Sequence, residues 1–446
     1  MELEAKMLIE DIKKDIEMWS KDKLVDFIIE KTANDTDFHK YISEKLSAYY
    51  PDHYAVEKIA EAMAPGSRGS NIGDAQISTA DFVPFMKNMH RVFLNDGNEN
   101  SLCSPIAAFL ILSVIAVASD DEIREEILNT LGIKDIDTLK DIAEAACLES
   151  SFTDDTYTQI ARTSVWVKDG IKVSYPLLLE FARYFNTDSF YCEMGSDSAD
   201  EELRSWISEY TGGLLDEMTG EFKLPADSII DIISTIYYKA SWFRELDEDE
   251  DKLLFHGTKS DSRVTSFSDY VRGEVFYGNG FSLVESELQA GKMLFILPDS
   301  KDISAEQVMN DNDLFSILEK GWYYENKEDA LITLRVPEFD ESSSGNIKDK
   351  FKELGLSKIF DPNINSASNL NMSSIPLYVE DVISAARIKV NHIGVETAAC
   401  IEMPLYAGCA MRMDPKEVEF ILDRPFGYVL IGAGRVPIMS GIINQL

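Results

Sequence analysis

Basic residues are scarce in this chain: 42 lysines and arginines stand against 79 aspartates and glutamates, a formal net charge of −37 over 446 residues. A field of that sign repels nucleic acid and anionic lipid, and no basic cluster offsets it locally, so neither nucleic acid nor membrane is an expected partner. The acidity keeps the chain soluble and monomeric; attraction to a basic protease or partner is the sharper reading. Apolar runs never reach the length that spans a bilayer. The opening stretch MELEAKMLIEDIKKDIEMW is charged throughout and lacks the apolar block and small-residue cleavage site of a secretory signal. A cytoplasmic location is therefore favoured, with secretion open if the natural chain begins elsewhere. Cysteine is also sparse. The five (Cys103, Cys147, Cys192, Cys400 and Cys409) form no CxxC and no metal-ligand spacing, which suggests free thiols and no metal. Two sequons, at Asn34 and Asn371, point weakly toward an oxidising route instead. None of the five histidines sits in a recognisable nucleophile or metal motif, so no catalytic residue, cofactor or hydrolytic activity is expected.

Residues 1–64 read as short helices behind capping signals: Ser20 and Asp22 before Leu24, Phe27 and Ile28, and Asp35 before Phe38, Tyr41, Ile42 and Leu46. A Gly/Ser-rich linker over 65–78 follows. The leading segment is expected to be a helical extension available to a protein partner, and 79–446 the main domain. There, Phe82, Phe85, Met86, Met89 and Phe93 fall on one helical face behind Ser78 and Thr79. Ser104-Pro105 opens the apolar helix IAAFLILSVIAVA, and Asp120 starts an acidic helix that stops at Gly132. Helices then mix with β-rich runs such as TSVWVKD, SIIDIISTIYYKASW and SAARIKVN. Without regular βαβ alternation this predicts an α+β domain with a large, mostly antiparallel sheet.

Several of these segments, in order, resemble the serpin family. SPIAAFLILSVIAVASDDEIREEILNTLGI is similar to its Ser-Pro helix and the following segment ending in Leu-Gly; TSVWVKD to its Asn-Ala-Leu-Trp strand; LRSWISEYTGGLLDEM to its Trp-Val-xxx-Thr-Asn-Gly-Lys-Ile helix end. STIYYKASWF resembles Asn-Ala-Ile-Tyr-Phe-Lys-Gly-x-Trp, with Trp242 as the tryptophan at the top of the sheet. The resemblance runs from about Asp81 to Leu446. It implies the serpin fold, with helices around a central sheet and an exposed reactive loop near the C-terminus. It also implies polar residues under the middle of the sheet that help control its opening. Ser104 is as expected there, but Ala107 replaces a usual Ser, Ser234 a usual Asn and Ser384 a usual His. The hydrogen-bond network at those positions is therefore expected to be altered or absent.

VNHIGVETAACIEMPLYAGCAMRMDPKEVEF resembles the hinge and reactive loop, with Gly394, Val395, Glu396, Thr397, Ala398 and Ala399 in place of Gly-Thr-Glu-Ala-Ala-Ala. The family mechanism implied is cleavage of this loop, formation of an acyl-enzyme, and insertion of the loop as a new strand that carries the protease with it. An inserting strand needs period-two patterning. Alternate residues from Val395 are Thr397, Ala399, Ile401, Met403, Leu405 and Ala407: none is charged, and all but Thr397 are apolar. Pro404 stands against a central-strand position because it removes a ladder donor. Family spacing places the scissile bond near Gly408-Cys409. Ala407 would suit an elastase-like pocket, Tyr406 a chymotrypsin-like one, and Met411 or Arg412 would need a longer loop. The expectation is a suicide-substrate inhibitor of a serine or cysteine protease that inserts residues 395–407. The alternative is a non-inhibitory serpin acting as carrier, chaperone or storage protein, which charged or bulky inward hinge residues would have favoured.

Overall fold

The computed structural model describes residues 77–446 except Asp96, 154–156, Thr219, Glu221, Glu245, 373–376, 380–381 and 396–415, and only the backbone of 383–385. The predicted helical extension of 1–64 and nearly all of the linker lie outside the described residues.

The first described helix, α1 (Thr79–Phe93), starts where the sequence places a cap: Ser78 N donates to Asp81 Oδ2 at 2.7 Å. Its five predicted core residues are all buried, with Phe82 edge-on to Phe109 at 5.1 Å. After β1 (Ser101–Cys103) comes α2 (Pro105–Ala118), apolar on every face and buried almost throughout, as a helix at the centre of a large domain must be. Asp120 caps α3 (Asp121–Leu131) by accepting from Ile123 N at 3.3 Å, and Gly132 ends it at φ 73°. A Cβ there would lie 2.4 Å from Pro84 Cβ, so the helix stop and the packing of α3 on α1 both need glycine.

The chain continues through α4 (Ile136–Glu149), β2 (Ser151–Thr153), β3 (Tyr157–Lys168), α5 (Tyr175–Phe185), β4 (Thr187–Cys192), α6 (Asp197–Tyr210) and β5 (Ile230–Ser241). Then follow β6 (Asp247–Glu248), β7 (Leu253–His256), β8 (Asp261–Val264), β9 (Ser266–Gly278), β10 (Phe281–Leu288), β11 (Gly291–Pro298), α7 (Ala305–Met309) and α8 (Asn312–Lys320). The last elements are β12 (Lys327–Pro337), β13 (Phe339–Asn346), α9 (Lys348–Glu353), β14 (Ile383–Val390), β15 (Gly394–Val395), β16 (Lys416–Ile421), β17 (Phe426–Ile431) and β18 (Pro437–Ile443).

Among the described residues these strands form a seven-stranded sheet ordered β13-β14-β15-β5-β3-β2, with β4 also on β3, and a nine-stranded sheet ordered β1-β18-β17-β11-β10-β9-β12-β16, with β6 on β9. A third pair is β7-β8. All pairings are antiparallel except β3-β4 and β12-β16. The α+β class and the mostly antiparallel central sheet are as the sequence predicts. Helix α2 lies under the seven-stranded sheet, against β5 and β3, and supplies the middle of the core.

His90 joins α1 to α7: its Nδ1 lies 2.8 Å from the Met309 carbonyl, to which it donates, and the ring is fully buried. Burial pushes its pKa down to about 4, with the Met309 carbonyl opposing. The folded state therefore favours the neutral ring. Its contribution, roughly 3 kcal/mol, is complete above the unfolded value of 6.5 and is lost as pH falls toward the folded one. The thermal midpoint should fall between pH 7 and 5, and His90→Gln should flatten that slope; an equally steep slope in the variant would contradict this.

Candidate functional site

Strand β14 ends at Val390, the chain turns over 391–393, and β15 returns beside it. The turn is built by Asn391, whose Oδ1 accepts from Ile393 N at 3.0 Å and Gly394 N at 3.2 Å. Trp242, just past β5, clamps it from the other side: its backbone N donates to Ile393 O at 3.1 Å and its indole Nε1 to Asn391 O at 2.8 Å. The sequence placed Trp242 at the top of the sheet, and this contact gives it a task there. Gly394 is required by close approach, since a Cβ would sit 2.3 Å from the Ala240 carbonyl oxygen.

Val395 is thereby seated between two strands, paired with Val390 on β14 and Ala240 on β5, and only 2% exposed. Below that level β14 pairs along its length with β13, and β5 with β3. Among the described residues no ladder pair joins β5 directly to β14. Among the described residues, the central sheet thus holds a strand position between β5 and β14 that is filled at its upper end by β15.

Beneath this part of the sheet lies a cavity of about 240 Å³, walled in large part by residues 341–346 of β13 and reached by Ser234 of β5, Ala386 of β14, and Ser104, Ala107 and Ile111 of α2 and its cap. The small side chains noted in the sequence are therefore part of its lining. They do not form one network among the described residues. Ser104 Oγ donates to Ile438 O at 2.8 Å, whereas Ser234 Oγ donates to Arg162 O at 3.3 Å and accepts from Thr163 Oγ1 at 3.4 Å, both on β3. The Ser384 side chain lies outside the described residues, as do Glu396, Thr397, Ala398 and Ala399 of the hinge and the cleavage-site residues Tyr406, Ala407, Gly408, Cys409, Met411 and Arg412. Glu341, also on the cavity wall, has its carboxyl pKa raised by burial, opposed by the amide of Asn100, which donates to Oε1 at 2.7 Å.

A strap that the sequence reading missed crosses the open position on the other face. Helix α6 is tied to the sheet by Trp206 Nε1 donating to Asp188 Oδ2 at 2.9 Å and by Arg162 donating to Tyr210 Oη at 3.1 Å. The turn after α6 packs Gly212 on Tyr237 of β5, where a Cβ would lie 2.8 Å from Tyr237 Cζ. It then reaches β14, where Arg387 donates to Leu214 O at 3.3 Å and to Glu217 Oε2 at 3.0 Å. Arg387 also forms a fork on Asp340 at 2.9 and 3.0 Å. The available signal was the pair of cations Arg387 and Lys389 on one parity of SAARIKV, with Ala386, Ile388 and Val390 between and around them.

This geometry is that of a sheet with room for one more strand, and the comparisons agree on the class. The family described as Serpin (serine protease inhibitor) matches residues 85–443, and the chain belongs to the serpin family. Antichymotrypsin-2 of Bombyx mori is 23% identical over 362 residues, covering 79% of this chain and 94% of that protein. Among solved structures, the native state of a thermophilic serpin, Tengpin, superposes with a TM-score of 0.70 at 20% identity, covering 85% of this chain and 96% of that one. Human thyroxine-binding globulin in complex with its hormone gives 0.68 at 16% identity, covering 82% and 98%. Both structural likenesses establish the fold.

Gly394→Ala should drive a methyl group into the β5 backbone and unseat Val395, at about 1–3 kcal/mol. A lowered thermal midpoint is expected, and an unchanged one would show that the close approach is absent in solution.

Proposed function

We propose that the protein is a suicide-substrate protease inhibitor. The observation that carries this reading is the half-occupied strand position, headed by Val395 with a cavity beneath it. Continuing the two ladders downward from Val395 sets Thr397 opposite Tyr238 and Ile388, Ala399 opposite Ile236 and Ala386, and Ile401 opposite Ser234 and Ser384. Met403 and Leu405 then come level with Ile232 and Ile230, both of which line the cleft beside Ile111 and Ile115 of α2. Every residue on this inward parity is uncharged, and Ile401 falls over the cavity. Burying Ile401, Met403 and Leu405 would contribute roughly 5–9 kcal/mol, enough to drive insertion once the loop is cut.

In this reading the protease's Oγ or Sγ attacks the Gly408 carbonyl carbon, or that of a near neighbour. The peptide bond breaks, the new amine at Cys409 leaves with the nucleophile's proton, and the acyl-enzyme remains. Insertion then carries the acylated protease away before water can complete hydrolysis. The carrier reading rests on the thyroxine-binding globulin likeness, which shows only that a closely similar fold holds a small molecule in another protein.

Incubation with leukocyte elastase, cathepsin G, chymotrypsin and papain should give an SDS-stable complex with at least one of them, and sequencing the released peptide would locate the cut. Cleavage without complex by all four would overturn the inhibitor reading in favour of the non-inhibitory one. Because Val395 is already buried in the intact sheet, Thr397→Arg is the sharper probe: insertion would require a cation to be buried there, costing several kcal/mol unless paired. That variant should be cleaved without trapping, and undiminished complex formation would contradict insertion of this residue.

A further inference from the structure

Strands β9, β12 and β16 join the two roots of the cleavage loop. The hinge root meets their upper end, where His392 Nδ1 lies 3.4 Å from Glu338 Oε1, just beyond Pro337 of β12. The other root is Lys416, which begins β16, pairs with Ala330 near the opposite end of β12 and reaches Glu328 at 2.8 Å. A protease gripping the loop between these roots must face this sheet.

Its outward face is unusually furnished. Residues in register across the strands place Tyr270, Thr333 and Glu419 in one row, and Arg272, Leu331 and Glu417 in the next. Tyr270 is 60% exposed, and among the described residues neither Glu417 nor Glu419 has an ion-pair partner. At the Lys416 end a turn leads from α8 into β12, entered through Gly321 at φ 51°. There Trp322 is 72% and Tyr323 84% exposed. The turn is rigidly held. Tyr324 is buried and donates to Tyr277 O at 3.2 Å, Asn326 donates to the same carbonyl at 2.8 Å, and Lys327 Nζ sits 3.7 Å from the Trp322 ring centroid while its ammonium also donates to the Trp322 carbonyl. Large aromatics fixed in place and left in water mark contact surfaces, because they bring apolar area at little entropic cost.

We infer that this face, from Tyr270 to the Trp322-Tyr323 turn, is an exosite that docks the body of a basic protease while the loop occupies its active site. The inference rests on the inhibitor reading and adds a second recognition surface to it. The partner's charge follows from the exposed Glu417 and Glu419, which have no ion-pair partner among the described residues, and from the net charge of −37. The aromatics supply the anchors. Specificity would then lie partly outside the loop, whose Gly408 gives a protease pocket nothing to grip.

The test uses the full chain and two cationic proteases, leukocyte elastase and cathepsin G, each also as an inactive form with its catalytic serine replaced by alanine. The side chains removed are exposed, so Trp322→Ala/Tyr323→Ala and Tyr270→Ala should retain the parent's thermal midpoint. The expected result is at least a ten-fold slower rate of covalent complex formation by the double variant with an unchanged stoichiometry of inhibition, and a matching loss of affinity for the inactive protease. Glu417→Lys/Glu419→Lys should lower the rate further at low salt than at high salt. If the parent chain traps neither of these two, the four-protease panel still decides the inhibitor reading, and affinity for the inactive forms still reads the exosite. Equal rates, or equal affinities where no trapping occurs, in parent and double variant would overturn the exosite.

Discussion

Two backbone edges, one on β5 and one on β14, have no ladder partner below Val395 among the described residues, and much of the molecule is arranged around them. Unpaired strand edges are costly when buried and hazardous when exposed. Here they are sheltered from one side by α2 and from the other by the strap after α6. Among the described residues the two strands are bridged by the two-residue β15, held by Asn391 and Trp242. Because Val395 is already buried on the inward parity, the register of any longer strand is set before that strand forms; a slip of one residue would turn Glu396 and Glu402 inward.

The barrier to extending that strand has two identifiable parts. Above the sheet, Arg387 and Tyr237 hold the strap across the open position, so that β5 and β14 cannot separate without disturbing the contacts to Leu214, Glu217 and Gly212. Below it, Ala107 and Ser234 leave a cavity where larger polar side chains would have linked the strands to α2. Ser234 bonds instead to its neighbour β3. The empty volume costs stability in the present state, and under the proposed insertion the same small residues would leave room for Ile401.

Much of this was legible in the sequence because it was encoded locally. The Ser78, Ser104 and Asp120 caps, the all-apolar α2 and the Gly132 stop each follow from periodicity or from backbone chemistry within a few residues. The strap and the aromatic face were not legible, because they are made by residues far apart in sequence. Arg387 meets Glu217 across 170 positions, and Tyr270 comes into register with Glu419 only through β12. In the run GWYY, Tyr324 is buried while Trp322 and Tyr323 stand in water, a division set by the turn from α8 into β12. Ala107 and Ser234 were flagged as small residues, but their meeting on the wall of one cavity needed the sheet order to be seen.

The central claim is that the position between β5 and β14 is completed by residues 395–407 when the loop is cut. Amide hydrogen exchange over 230–241 and 383–390, compared between the intact chain and the chain cleaved within 406–412, tests it most directly. Completion of the strand predicts that exchange along the facing edges of β5 and β14 slows by orders of magnitude after cleavage. Unchanged exchange on both strands would show that the cut loop stays out of the sheet, and would contradict the account.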